Sequence, residues 1–410
     1  MQDVFEGRRN RFLHIDGLRA LSIIWMIGFH SVWCLGYFIP KNEYFSILGQ
    51  QRNFRLFLEG MFGVDVFFTL SGFLISSILL NEITDRGSIQ FGRFYIRRFF
   101  RIIPAYLTSL LLCRFIIGTA GVNYIWANLF LINNYIPARD QFMGWAWSLA
   151  IEEQFYLVFP LFLVGLLKWA RRPAFLISLI IFGSLVCRYF VIKSYGLQNL
   201  LPFTPFFDQV GFGRWFDNWY DKSHLRGSGI LLGVLVAFFK SDSIFRKYVN
   251  AYAIRILLIL SVIYFIWSIT SEKACVFDYC LENSDPSGRV LFETLKHFMI
   301  SAITAGLIIY CSGPGSRGIV DRFLSSRVWR PFAELSFSAY LLHPIIIVVF
   351  YKAILIPTSQ VSGSKLIFVT IAVELITFLV SYLMYFIIEA PFRKLGRRIA
   401  SNDAGTLTHF

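Results

Sequence analysis

The sequence predicts an all-α integral membrane protein of about ten transmembrane helices, and three observations carry that prediction. Of 410 residues, 56% are hydrophobic and 16% are charged, whereas a soluble domain carries about 25% charge. The apolar residues fall in blocks of about 20, the length of a helix that crosses a bilayer. The Lys and Arg residues punctuate those blocks instead of forming one solvated patch, which reads as membrane topology and argues against a nucleic-acid partner despite the net charge of +14.

The polar stretch 1–17 carries Arg8, Arg9 and Arg11 and leads straight into an apolar run too long for a signal-peptide core, so no cleaved leader is expected. The expected spans are about 18–39, 60–80, 105–122, 154–170, 174–192, 227–240, 252–270, 291–313, 332–355 and 366–388. With the N-terminus in the cytoplasm, the cytoplasmic segments hold 22 of the 39 Lys and Arg and the opposite loops 11, although the latter are longer in total. Positive-inside therefore favours both termini in the cytoplasm, which requires an even number of spans. The expected division is a cytoplasmic segment 1–17, a membrane domain 18–390 and a cytoplasmic basic tail 391–410, with no soluble domain to follow.

Two stretches break the simple pattern. Segment 81–104, "NEITDRGSIQFGRFYIRRFFRIIP", is basic and aromatic and reads as a helix lying at the cytoplasmic interface, ended by Pro104. Segment 123–153 is rich in Trp, Asn and Tyr, too polar for a span, and reads as an outer loop or re-entrant element. No internal repeat or low-complexity tract is seen. The six Cys are scattered without zinc-ligand spacing, so no metal is expected. Only Cys275 and Cys280 share a polar loop; in an oxidising compartment they would be able to pair.

Ionisable residues inside a bilayer are costly and point to function. In "RALSIIWMIGFH", Arg19 and His30 stand eleven residues apart, about three helical turns, so they share one face with about 16 Å between them. His30 reads either as a core histidine bonded to a neighbouring helix or as a general base. Arg19 reads either as a snorkelling cation or, with His30, as the lining of one cavity. Arg98 and Arg101 lie three apart on one helix face, suited to phosphate recognition or to anionic lipid. In "WSLAIEEQFYLVFP", Glu152 and Tyr156 are four apart, and a carboxylate there is placed to orient an imidazole. "SFSAYLLHP" aligns Ser336, Tyr340 and His343 as a polar stripe, and "GVDVFFTLSGFLI" buries Asp65 and Ser71, with Asp65 in need of an unnamed partner.

Seven stretches in order, "HIDGLRALSIIWMIGFH", "FGVDVFFTLSGFLISSILL", "FYIRRFFRIIPAYL", "WSLAIEEQFYLVFPLFL", "HLRGSGILLGVLVAFF", "LSFSAYLLHPII" and "IEAPFRKLGRR", resemble the acyltransferase-3 family of integral membrane O-acyltransferases. They cover about residues 12–398. The resemblance implies ten helices and transfer of an acyl group, usually acetyl, from a cytoplasmic acyl-CoA to a sugar hydroxyl outside. It implies roles for Arg19 and His30, for the arginine pair Arg98 and Arg101, and for Glu152. Asp16 and Arg226 lie within matching motifs and join Asp65, Ser71, Tyr156, Tyr340 and His343 as supporting residues. This chain reads "SLAIEEQ" where the family often has a second Ser, and the esterase-like domain that some relatives carry is not expected to follow.

The expected mechanism places the phosphates of acetyl-CoA near Arg19, Arg98 and Arg101, with its thioester near His30. His30 takes the proton of the acceptor hydroxyl, Glu152 orients it, and apolar walls exclude water. The expected acceptor is a glycan or lipid-linked glycan such as O-antigen, lipopolysaccharide or exopolysaccharide, and the expected setting is the inner (plasma) membrane in contact with its lipids. An alternative class is a transporter or flippase of a lipid-linked saccharide with His30 and Asp65 as a relay, which leaves the paired arginines unexplained.

Overall fold

A backbone held out of water has to satisfy its own N–H and C=O groups, which long apolar runs do most simply as helices. The computed structural model describes residues 12–50, 57–118, 120–197, 209–241, 286–313, 318–355 and 361–406, with single positions at 259, 262 and 263. Among the described residues there is no strand, and eight helices are long and apolar enough to cross a membrane. The protein is an all-α, multi-pass membrane protein.

The long helices are α1 (Leu13–Cys34), α2 (Gly63–Arg86), α3 (Phe91–Ile116), α4 (Trp147–Trp169), α5 (Pro173–Tyr195), α6 (Ser228–Ser241), α7 (Pro286–Ser312), α8 (Trp329–Phe350), α9 (Gly363–Met384) and α10 (Ala390–Thr406). All but α10 correspond to separate expected spans, α6 to 227–240, and all but α6 and α10 are long enough to cross. At 14 residues, α6 rises roughly 21 Å, short of the roughly 30 Å hydrocarbon core. The expected span 252–270 falls outside the described residues apart from the three single positions, as do Arg8, Arg9, Arg11, Cys275 and Cys280. Helix α10 runs on from α9 through a π-helical turn at Tyr385–Glu389 and packs on α3. The described part of the basic 391–410 segment is therefore helical.

The structure differs from expectation in two elements that build the site. The chain does not divide at Pro104 into an interfacial helix and a span. Helix α2 ends at Gly87, whose φ of 75° is the left-handed cap that glycine accepts, and α3 then runs unbroken through Pro104. Its buried residues Phe94, Ile102, Ala105, Tyr106, Ser109, Leu110 and Cys113 keep helical spacing across the proline, so one continuous face outweighs the lost N–H. Similarly, α4 begins at Trp147, not near 154, because Trp147–Ile151 are all buried. Residues 122–146 before it form short helical turns, including Ile125–Leu129.

Close helix contacts fix the bundle. At the α2–α6 crossing, a Cβ on Gly72 would strike the Ile230 carbonyl and one on Gly233 the Thr69 carbonyl, so only glycine permits this approach. Helix α1 packs against α2, α8 and α9, while α5 exposes Phe175, Phe182 and Phe190 on an outward face.

Candidate functional site

Helices α1, α2, α3, α4 and α8 enclose a cavity of about 250 Å³. Its apolar wall includes Val64, Phe67, Leu74, Ile75, Ile102 and Leu149, and its polar lining is Arg19, Ser71, Arg98, Arg101, Ser148, Glu152, Glu153, Tyr156, Ser336 and Tyr340. Three guanidinium groups and two carboxyl groups thus converge from three separate helices.

Several of these side chains are held by a specific neighbour. Arg19 Nη2 donates to Ser336 Oγ at 2.9 Å, tying α1 to α8. Glu152 accepts from Ser71 Oγ at 2.9 Å and from its own helix neighbour Tyr156 at 3.3 Å. The Arg98 guanidinium lies over the Tyr156 ring, 4.9 Å from its centroid, a cation–π arrangement. Tyr340 donates its hydroxyl hydrogen to the Trp145 carbonyl. The 2.8 Å contact between Tyr340 and Ser148 is therefore donated by Ser148.

His30 is not among the lining residues. Met26, one turn earlier on α1, reaches the lining instead, and its carbonyl faces His30 Nδ1 at 3.0 Å. The same nitrogen lies 3.1 Å from Nε2 of His343 on α8. Arg19 and His30 therefore share α1, as their spacing predicted, but stand on opposite sides of Met26 and do not share one cavity wall. The imidazole next to His30 belongs to His343, and Glu152 is engaged by Ser71 and Tyr156, so the expected Glu152–His30 pairing is replaced by a His30–His343 pairing.

The remaining supporting residues form separate groups. Asp65 Oδ1 meets Arg226 Nη2 at 3.1 Å and Oδ2 meets His297 Nδ1 at 2.7 Å, all three side chains buried. Rings of Phe68, Trp147, Trp219 and Tyr220 surround the Arg226 guanidinium. This answers the question of Asp65's partner, and a pair so enclosed leaves a costly buried charge when either member is removed. Arg188 braces the same region through the Leu225 and Thr294 carbonyls and Ser228 Oγ. Asp16 is buried in the first turn of α1, where a carboxylate complements the helix dipole.

Sequence reasoning passed over Ser148 as a site residue. It lies one turn before Glu152 on the same face, a signal that a helix begun at Trp147 would have carried. It also left Glu153 without a role, although Glu153 lines the cavity with Oε1 buried and, among the described residues, without a hydrogen-bond partner. No pattern in the sequence ties His297 to Asp65, 232 residues away. Among the described residues, no three His, Cys, Asp or Glu side chains gather as a metal-ligand set.

Residues 12–386 match the family described as Acyltransferase domain, the acyltransferase-3 family. A relative named "Peptidoglycan O-acetyltransferase OatA", from Listeria monocytogenes, is 34% identical over 185 residues, covering 41% of this chain and 26% of the relative. "Putative O-acetyltransferase SACOL0978" of Staphylococcus aureus is 27% identical over 93% of this chain and 57% of its own length. "Nose resistant to fluoxetine protein 6" of Caenorhabditis elegans is 23% identical over 97% of this chain and 53% of its own length. The chain thus spans between about a quarter and somewhat over half of these curated relatives. No solved structure matches it. With seven motifs in order and a match across nearly its whole length, the chain belongs to the acyltransferase-3 family of membrane acyltransferase domains.

Proposed function

We propose that the protein is a membrane O-acyltransferase that moves an acetyl group from a cytoplasmic acyl-CoA to a hydroxyl of an extracytoplasmic or lipid-linked glycan at the plasma membrane. The observation that carries this reading is the cavity in which Arg19, Arg98 and Arg101 converge beside an apolar wall, next to the His30–His343 pair. Family membership supports the reaction class, and the printed names of two relatives support O-acetylation.

The residues divide the work as follows. The guanidinium groups of Arg98 and Arg101, with Arg19, offer charge-assisted hydrogen bonds to the phosphates of the donor. The apolar wall lodges the pantetheine arm and keeps water from the thioester. His30 removes the proton from the acceptor hydroxyl as the oxygen bonds to the thioester carbonyl carbon. The carbon–sulfur bond then breaks and the same proton passes to the departing thiolate, so donor and acceptor become the ester and free CoA. Glu152, fixed by Ser71 and Tyr156, places a carboxyl group beside the arginines and offsets their mutual repulsion.

The test is incubation of the purified protein in liposomes with acetyl-CoA labelled in the acetyl group and a panel of bacterial cell-surface glycans. Release of free CoA together with label in the glycan supports the proposal. Label that stays in acetyl-CoA with every acceptor class, from a protein shown to be folded, refutes it.

A further inference from the structure

The carbonyls around the two histidines determine where their hydrogens sit. A carbonyl oxygen only accepts, so a ring nitrogen facing one carries the hydrogen. His343 Nδ1 faces the Ala339 carbonyl at 3.1 Å and therefore donates to it. A neutral His343 that donates from Nδ1 has a bare Nε2. That nitrogen lies 3.1 Å from His30 Nδ1, which also faces the Met26 carbonyl at 3.0 Å. One N–H on His30 Nδ1, shared between the Met26 carbonyl and His343 Nε2, satisfies every contact. The opposite assignment sets two lone pairs against two carbonyl oxygens.

We infer that His343 is a positioning residue that holds His30 in the Nδ1–H tautomer, so that the bare Nε2 of His30 is the nitrogen presented to the acceptor hydroxyl. The inference rests on the reading of His30 as the base. His30 is only half-buried, and among the described residues its Nε2 has no hydrogen-bond partner. The rings of Phe29 at 4.8 Å and Trp33 at 6.1 Å flank the imidazole and oppose its rotation. When Nε2 takes the proton of the acceptor hydroxyl, His30 becomes an imidazolium whose Nδ1–H still donates to His343 Nε2. His343 thus does for His30 what a carboxylate does in a hydrolase triad, orienting the base and stabilising its charged form without itself taking the proton.

Two measurements test this. Nitrogen-15 NMR of histidine-labelled protein, with the His30 signals assigned by their loss in His30→Ala, reads the tautomer without any enzymatic turnover. The expected result is a protonated Nδ1 and a bare Nε2 on His30, with a mixture of tautomers in His343→Leu. A protonated Nε2 in the unaltered protein, or an unchanged tautomer in His343→Leu, overturns the inference even if the proposed reaction is correct. In the transfer assay, His343→Leu lowers kcat about 100-fold with the KM for acetyl-CoA unchanged. His343→Gln, whose amide oxygen accepts where Nε2 did, recovers at least tenfold of that loss. Equal rates for the two variants, with both folded, count against it. Loss of transfer in every protein alongside the expected tautomer would refute the reaction and leave the positioning intact.

Discussion

At the scale of single residues, the chemistry turns on which polar atoms face one another inside an apolar bundle. His30 and Arg19 lie on one helix about three turns apart, and that much was legible in twelve letters of sequence. Their partners were not. Ser336, which accepts from Arg19, is 317 residues away, and His343, which meets His30, is 313 away. Local spacing is silent about such pairs because the fold, not the helix, sets them. The prediction at this scale concerns His30. Replacing it with Ala lowers kcat by about 10²–10⁴-fold, the span associated with loss of a general base, while the protein stays folded. Turnover within a few-fold of the unaltered protein, measured with labelled acetyl-CoA, would remove His30 from the mechanism.

At the scale of elements, the sequence disclosed helices better than their ends. Pro104 reads as a boundary, yet α3 passes through it because its buried face keeps register on both sides. The Trp147–Ile151 stretch reads as loop from its polar surroundings, but burial makes it the first turn of α4 and so brings Ser148 into the site. The turns before α4 are joined to residues 217–223 by a polar network. Asn134 Nδ2 donates to the Asp221 carbonyl and to Ser223 Oγ, Gln141 Nε2 donates to the Asp221 carboxyl, and the Ala138 N–H donates to Asp217. Asp221 is fully buried there, and burial pushes its carboxyl up to about 7 despite Lys222 at 2.9 Å. A folded value above the unfolded one means that this carboxyl favours the folded state at low pH and that its contribution is lost as the pH rises through about 7. Asp221→Asn, which stays neutral, should therefore gain in melting temperature relative to the unaltered protein as the pH goes from 5 to 8. A difference that is flat over that range would show that Asp221 is already ionised when folded.

At the scale of the whole molecule, hydropathy alone announced a multi-pass helical membrane protein, because a bilayer allows a backbone so few solutions. What it left unseen is how five helices meet around one cavity while Asp65, Arg226 and His297 lock α2 and α7 to the short turn Ser223–Arg226 before α6 elsewhere. Those two polar assemblies have different designs. The Asp65 group is enclosed by aromatic rings, paired and buried, as suits a structural lock. The arginines of the cavity sit beside open volume, as suits a site that takes an anionic ligand. The central claim is that this volume receives an acyl-CoA, and equilibrium binding of radiolabelled acetyl-CoA to the purified protein tests it most directly. The account predicts saturable binding that weakens at least tenfold in the Arg98→Ala/Arg101→Ala protein and is unaltered by Asp221→Asn. Binding of equal strength in the double variant, or none in a folded unaltered protein, would contradict it.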